Sequence, residues 1–378
     1  MQVFFDDQIF QKQQHGGISR YFCNLAQGLA QRGDMRVILF GGWHTNSLIQ
    51  ELVSCNRLKL IQKPRPPSLK INRFAKTLSR WWRRLAFLQA IQQDSETIYH
   101  PTYFQIDPFL RRHAKATVLT LYDMIAELFP QPNQVKHRQD KKTALLQADA
   151  IIAISHSTQK DLQNFYPSVT ERTSVVYLTS NLGCLKPSKL PDFFLLEGSY
   201  FLILGGRRRY KNGLLALQAF GLLAQKFPNI HCVLSSQEGS LRAEEKAVLA
   251  KAGVSERVHV LFADDVLLLR LFKGAIALVY PSRYEGFGLP VLEAMQQGCP
   301  VITTRLSSLP EVAGEAAIYV NPDSAQDIAT AMARLLAEPQ TVKSYVSKGY
   351  AQAKKFSLTN MAAGTLAVYE RALKHFEK

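Results

Sequence analysis

Short apolar runs alternate with segments of helical spacing along most of the chain. Residues 2–5 read as a first buried strand. A polar stretch follows, and from Ile18 the apolar positions Phe22, Leu25 and Leu29 recur at helical intervals. Residues 35–40 read as a second strand. Residues 97–100 and 117–123 are short strands that end in polar residues. Residues 150–154 are another, and Ser155 is placed to cap the helix after it. Residues 174–177 close this half. The stretch 179–198 holds two prolines and two glycines and reads as an interdomain linker.

The pattern then starts again. Residues 200–204 form a strand, 205–212 a loop of glycines and cations, and 213–226 a helix. Further strands are expected at 231–234, 258–262, 275–280 and 301–304. Segment 309–314 is turn-rich, and 317–320 is a short strand. Ser324 with Asp327 makes a capping box for a helix to about Leu336. A last helix covers about 359–376. This alternation predicts an α/β fold with mostly parallel, helix-covered sheets. At 378 residues, two domains are expected. Their bounds are 1–180 and 199–358, joined by a linker at 181–198. The terminal helix, 359–378, is free to cross back to the first domain.

Composition narrows the class. The five cysteines (Cys23, Cys55, Cys184, Cys232, Cys299) are scattered, odd in number and without a CxxC pair. Reduced, cytosolic thiols are expected rather than a disulfide frame or a zinc knuckle. The amino terminus has no basic region ahead of a long apolar stretch, so no signal peptide is expected. No uncharged run approaches the roughly 20 residues that span a bilayer. The longest candidate, 266–280, is interrupted by Arg270 and Lys273.

The net charge of +16 favours an anionic partner: phosphate, acidic lipid or nucleic acid. The charge concentrates in one place. Residues 52–93 contain no Asp or Glu, while ten Lys or Arg fall within 57–84, together with Trp81 and Trp82. An amphipathic basic helix suits an anionic membrane surface. The plain alternative is a solvated basic face whose tryptophans belong to the core. No nucleic-acid motif accompanies it.

Candidate chemistry centres on 281–300. Glu285 and Glu293 are separated by seven residues, Gly286, Phe287, Gly288, Leu289 and Pro290 among them. The loop is too rich in glycine for helix, and Pro290 can open a short helix that Gly298 closes. Bare N–H groups at that helix start favour a phosphate. Glu285 would repel a phosphate it touched, so it must face hydrogen-bond donors. A carboxylate accepts two at once, which suits a vicinal diol, and Glu293 could take a second diol. A nucleotide-sugar offers both diols with a diphosphate between them. The bland alternative makes Glu285 a helix-dipole partner and Glu293 solvent-facing. A paired-carboxylate hydrolase lacks any residue placed to activate water. Two glycine-and-helix openings, at Gly16-Gly17 and at Gly205 to Asn212, supply further anion sites or plain turns. Neither has G-x-G-x-x-G spacing, which disfavours a nicotinamide dehydrogenase.

Glu285-Gly-Phe-Gly-Leu-Pro-Val-Leu-Glu293 resembles the E-x7-E motif of retaining glycosyltransferases of family 4, which have the GT-B fold. The stretch from His15 to Phe22 is similar to that family's Gly-Gly-Ile-x-Arg-Tyr opening. Residues 205–212 resemble its Gly-x-Arg-x-x-Tyr-Lys-Asn loop. Ser308-Leu-Pro-Glu311-Val-Ala-Gly314 resembles the loop after its E-x7-E helix. The likeness covers nearly the whole chain. It implies two Rossmann-like domains facing across a cleft, an acceptor-binding one followed by a nucleotide-sugar-binding one. Arg207 and Lys211 would neutralise the leaving diphosphate. Backbone N–H groups of Gly16, Gly17 and Gly286, Phe287, Gly288 and Leu289 would help, with Gly205 beside them. Glu285 would hold the donor sugar and Glu293 the ribose. Transfer would retain the anomeric configuration through an oxocarbenium-like transition state, with leaving-group stabilisation as the main protein contribution.

The resemblance also implies no cofactor and no required divalent metal. The acidic pairs Asp6-Asp7 and Asp264-Asp265 accordingly read as turn or cap residues. One departure stands out: the family often has His-Asp where this chain has Tyr122-Asp123. Tyr122 keeps a hydroxyl but no imidazole that titrates near neutrality. It can substitute in hydrogen bonding, alter donor preference or mark lost activity. His15, His100 and Asp123 are further candidates on the sugar or acceptor side, and both histidines can equally be structural. The expected activity moves a hexose of mannose or glucose type from a GDP- or UDP-linked donor to a glycan or lipid-linked acceptor. That places it in surface polysaccharide or glycolipid synthesis, in the cytoplasm and peripheral on the inner face of the membrane. The alternatives are a non-catalytic GT-B nucleotide-sugar scaffold and a nucleotide-sugar epimerase.

Overall fold

In a computed structural model of the chain, the described residues are 1–14, 16–52, 57–64, 73–91, 96–180, 200–205, 209–236 and 239–374. His15, Arg207, Cys55, Cys184, the expected linker and part of the basic segment (65–72) lie outside them. The chain divides into two compact units, Met1–Thr179 with Ser357–Lys378, and Ser180–Phe356.

The first unit is built on β1 (Gln2–Phe5), β2 (Arg36–His44), β3 (Leu58–Pro64), β4 (Thr97–His100), β5 (Ala116–Leu121), β6 (Ala150–Ala153) and β7 (Thr173–Val175). All pairs are parallel, in the order β3-β2-β1-β4-β5-β6-β7. The connecting helices are α1 (Gln8–Lys12), α2 (Gly17–Arg32), α3 (Ser47–Glu51), α4 (Arg73–Ala90), α5 (Pro108–His113), α6 (Ile125–Leu128), α7 (Val135–Gln147) and α8 (His156–Phe165). The central strands are covered on both faces, which is why Val3, Phe4 and Phe5 form an unbroken apolar run with no exposure. Phe4 ties β1 to its neighbours: its ring lies 6.2 Å from that of Phe40 and 5.0 Å, edge on, from that of Phe87.

The second unit repeats the plan with β8 (Tyr200–Leu204), α9 (Gly213–Ala224), β9 (His231–Ser235), α10 (Ala243–Lys251), β10 (Val258–Leu261), α11 (Asp265–Gly274), β11 (Ala277–Tyr280), α12 (Leu289–Gln296), β12 (Val301–Thr303), α13 (Leu309–Ala313), β13 (Ala317–Tyr319), α14 (Ala325–Ala337) and α15 (Pro339–Ala353). Its parallel sheet runs β10-β9-β8-β11-β12-β13. Helix α9 is apolar on most sides, as a helix sunk in a core must be. Leu217 and Phe220 join Phe201, Ile203 and Val279 in the core of this unit. The last helix, α16 (Leu358–Lys374), packs on α2 and β5 of the first unit.

Each sheet reverses its strand order once, between β1 and β4 in the first unit and between β8 and β11 in the second. Ligands of open α/β sheets bind at the carboxyl ends of strands at such switch points.

Several elements depart from the sequence reading. The polar stretch after β1 contains α1. Strand β3 and helices α10 and α11 were not anticipated, and 309–314 is a helix rather than a turn. Helix α11 lay hidden in one apolar run with β11. Asp264 caps it, accepting from Leu267 N at 2.8 Å, so that aspartate is a cap residue as expected. The Ser324 cap is one-sided. Its side chain accepts from Asp327 N at 3.0 Å, but the Asp327 carboxylate accepts from Asn321 N instead, at 2.6 Å.

Asp7 stands at the N-cap position of α1, as a cap reading has it, but its side chain caps nothing, and Asp6 is held by other elements, which corrects the reading of their carboxylates. Both are buried. Asp6 Oδ1 accepts from Thr102 N (2.9 Å) and Oγ1 (2.8 Å), and its Oδ2 accepts from the Tyr99 hydroxyl (2.7 Å). Asp7 pairs with Arg83 at 2.9 Å, and Arg83 pairs with Asp107 at 3.0 Å. Charges this deep persist only when partnered, and these partners come from β4, α4 and the α5 cap.

Candidate active site

The second switch point brings Glu285 of the E-x7-E stretch together with Lys211 and Tyr280. After β8 the chain turns at Gly205, whose φ of 110° suits glycine alone. A 3-10 turn, Arg209–Lys211, then carries Lys211 back over the end of β11. Lys211 Nζ lies 2.8 and 2.9 Å from the two carboxylate oxygens of Glu285 and 2.9 Å from the Tyr280 hydroxyl. That hydroxyl donates to Glu285 Oε1 at 2.7 Å, closing a triangle of charge-assisted bonds. Burial alone would pull the Lys211 ammonium down. The Glu285 carboxylate and Tyr280 more than offset this, and Lys211 sits above its ordinary value. Burial, and then the Glu285 charge, push the Tyr280 phenol up, so it stays a neutral donor.

The loop bearing Glu285 is held from three sides. Arg283 N donates to Tyr210 O at 2.7 Å, and Glu285 N donates to Ser307 Oγ at 2.8 Å. The Ser308 hydroxyl lies 2.8 Å from the carbonyl oxygens of both Glu285 and Phe287. Ser307 itself has a φ of 48°, uncommon for a residue with a Cβ. Gly288 (φ 105°) precedes α12, and Pro290 lies in the first turn, where its missing N–H costs nothing. Glu293 is buried rather than solvent-facing, and its Oε1 accepts from Ser180 Oγ at 3.0 Å. Gln296 Nε2 donates to Ser180 O at 3.1 Å. The structure thus brings Lys211, from the segment after β8, together with Glu285, from the loop after β11, and Gly286 to Leu289 lead from that loop into α12.

The expected residues of the first unit fare differently. At the start of α2, Gly16 O accepts from Arg20 N, while Ser19 N is already taken by Gln13 Oε1 at 3.2 Å. His100 has no exposed surface. Its Nδ1 lies 2.7 Å from the Tyr369 hydroxyl of α16 and its Nε2 2.9 Å from Thr120 Oγ1. Burial pushes its pKa down to about 3, leaving a neutral structural imidazole with no ring nitrogen for a sugar. The Tyr122 hydroxyl donates to Thr102 O at 3.2 Å, and burial pushes its pKa well up. Asp123 Oδ1 accepts from Ile125 N at 2.9 Å and lies 3.8 Å from the buried Lys141.

Sequence reasoning missed Tyr280, Ser307, Ser308 and Ser180. Tyr280 was counted as the last member of an apolar run, although its position at a strand's carboxyl end was a usable signal. The serines act through backbone and side-chain bonds that no spacing announces. Among the described residues no group of three or more His, Cys, Asp and Glu could hold a metal ion.

The sequence model described as glycosyl transferases group 1 matches residues 193–352, and that of glycosyltransferase family 4 matches residues 15–179. The chain belongs to glycosyltransferase family 4. Relatives include the O-antigen chain mannosyltransferase B of Escherichia coli, 27% identical over 293 residues that cover 74% of this chain and 76% of that protein. The serotype-specific mannosyltransferase WbdA of Escherichia coli is 29% identical over 278 residues, 68% of this chain; the match spans only 34% of WbdA. Among solved structures, that of Anabaena Alr3699/HepE in complex with UDP and glucose superposes with a TM-score of 0.71. It is 17% identical, covering 98% of this chain and 100% of that one. The two Rossmann-like sheets are those of the GT-B fold.

This family-4 glycosyltransferase also has a cavity of about 550 Å³ beyond the carboxyl ends of β9 and β10, lined by Ser236, Gly239, Ser240, Leu241, Lys246 and Phe262, among others. It belongs to the same unit as the Lys211–Glu285 cluster. No helix among the described residues is long and apolar enough to cross a membrane.

Proposed function

We propose that this glycosyltransferase moves a hexose, mannose first and glucose second, from a nucleotide-diphosphate donor to a glycan or lipid-linked acceptor. The product would be a surface polysaccharide or glycolipid, made with retention at the anomeric carbon. The observation that carries the reading is Lys211 held between both oxygens of Glu285 at the β8/β11 switch point. The order of sugars follows the mannosyltransferase relatives, and the glucose option follows the HepE complex.

The pair suits the task because it is neutral as a whole until a donor arrives. A diphosphate beside Lys211 competes for its cation and loosens Glu285, whose oxygens then accept from sugar hydroxyls. As the bond between sugar and diphosphate breaks, charge grows on the leaving oxygen, where Lys211, and Arg207 with it, oppose that charge most strongly. The 286–289 N–H groups add to this, Glu293 takes the ribose, and the cavity past β9 and β10 offers the base a wall in Phe262. No divalent cation is assigned to the step. The acceptor is proposed to be presented at the inner face of a membrane, which the basic composition of 57–84 suits.

A second reading, a non-catalytic nucleotide-sugar scaffold, is favoured by Tyr122, whose hydroxyl is bonded to Thr102 O. Thermal melting with GDP, UDP and ADP, then with their sugars, separates the readings when paired with donor turnover. Saturation at about 100-fold the Kd adds roughly 2.7 kcal/mol. A shift with one nucleotide, and sugar transfer undiminished by EDTA, is the expected result. Binding without hydrolysis or transfer favours the scaffold, donor conversion without any acceptor favours an epimerase, and no shift with any nucleotide overturns the donor site.

A further inference from the structure

Helix α4 has two faces of opposite character. Its inner face is fastened. Arg83 reaches Asp7 and Asp107, the Trp82 ring lies 5.1 Å from that of Phe40 and 5.8 Å from that of Trp43, and Ala86, Phe87 and Ala90 are buried. Its outer face carries Leu78, Trp81, Leu85 and Leu88, exposed by 46, 62, 48 and 44%. Steps of three, four and three residues align these four on a single stripe of an α-helix. Arg80 and Arg84 run along one edge of that stripe, Arg80 exposed and Arg84 part-exposed even while paired with Asp107. A stripe this apolar on a surface asks for a partner.

We propose that this face of α4 docks on an anionic lipid bilayer. The three leucines and Trp81 enter the boundary between headgroups and acyl chains, and Arg80 and Arg84 lie among the anionic headgroups. Charge decides the occupant. No Asp or Glu occurs from 52 to 93, so a second copy meeting this face would set one basic segment against another. An anionic headgroup layer offers the complementary sign, and tryptophan favours that interface. The inference rests on the proposed membrane-presented acceptor and narrows it. Of the basic residues in 57–84, Arg83 is turned inward to hold the helix and takes no part in docking.

Flotation of the full chain with vesicles tests this. Capture is expected by phosphatidylglycerol-containing vesicles and not by pure phosphatidylcholine. The double variant Trp81→Ser/Leu85→Ser should lower partitioning at least about tenfold, and Arg80→Glu at least about fivefold. Leu88→Ser, a smaller change, guards against a double variant that fails to fold, with melting curves as the check. Sugar transfer to a soluble acceptor should be unchanged in every folded variant. Loss of capture with soluble transfer intact supports the docking face. Absence of transfer in the unaltered chain would instead strike at the glycosyltransferase reading. Capture that is unaltered in the variants, absent in the unaltered chain or equal on neutral vesicles overturns the inference. So does a concentration-dependent dimer that these substitutions dissolve.

Discussion

The two switch points hold similar chemistry in opposite states. At β1/β4, Asp6 bridges to Thr102, while Arg83, its side chain 11% exposed, joins the buried carboxylates of Asp7 and Asp107 in a chain of ion pairs. At β8/β11, Lys211 and Glu285 make a pair of comparable length, yet the Lys211 side chain keeps 19% of its surface. In the first unit each carboxylate already has several protein partners drawn from β4, α4 and the segment after β4. In the second, one cation faces one carboxylate, and an incoming anion can rearrange both. Position in the fold marks where ligands can bind, and the charges still open to rearrangement there mark the second switch point as the candidate.

This contrast can be broken most sharply by removing one charge from each side. Lys211→Ala and Glu285→Ala should each lower sugar transfer by about 10³-fold or more while the chain remains folded. Wild-type turnover in both variants would end the assignment of that cluster. Arg83→Ala should do the reverse. It leaves Asp7 buried without its ion pair, while Asp107 keeps Arg84, and should cost about 3 kcal/mol of stability, read from denaturant unfolding of the first unit. A smaller effect is expected from Tyr280→Phe, which keeps the Lys211–Glu285 pair but removes one donor to the carboxylate. About tenfold in kcat/KM with little change in melting is anticipated, and a loss as large as that of Lys211→Ala would mean the phenol has a further task.

The mildest test is of pH. Burial, partly countered by Arg83, raises Asp7 to about 6 from an ordinary 3.8, so its contribution is full below the ordinary value and lost as pH climbs toward 6. Burial holds His100 at about 3, so its contribution is full above the ordinary 6.5 and lost as pH falls. The two slopes oppose each other. Asp7→Asn should therefore steepen the fall in melting temperature on acidification from pH 6 to 4, and an unchanged profile would contradict the burial argument.

Much of the second site was legible along the chain. Glycines at 205, 286 and 288, two glutamates with seven residues between them and a lysine after β8 are local features with local causes. The helical period of α2 and the strand ends were legible for the same reason. Tyr280 was not, because a tyrosine closing an apolar run looks the same whether its hydroxyl meets water or a carboxylate. The first unit misled for a related reason. Asp6-Asp7 after a strand has the composition of a turn, and His100 at a strand end has that of a ligand. The partners that bury them, Arg83, Thr102 and Tyr369, lie 76, 96 and 269 residues away.

By itself, then, the sequence determined the alternation of strand and helix, the two-unit plan, the glycine turns and the candidate residues for a nucleotide-sugar. Each depends on backbone preference or on spacing within one element. Only the tertiary structure decided which charges are spent inside the protein and which stay open to a ligand. It turned Arg83 inward and Trp81 outward within one turn of one basic helix, and it committed the Tyr122 hydroxyl to Thr102. The physical reason is desolvation. The cost of a buried charge or hydroxyl is set by the groups packed around it, and those groups come from distant parts of the chain.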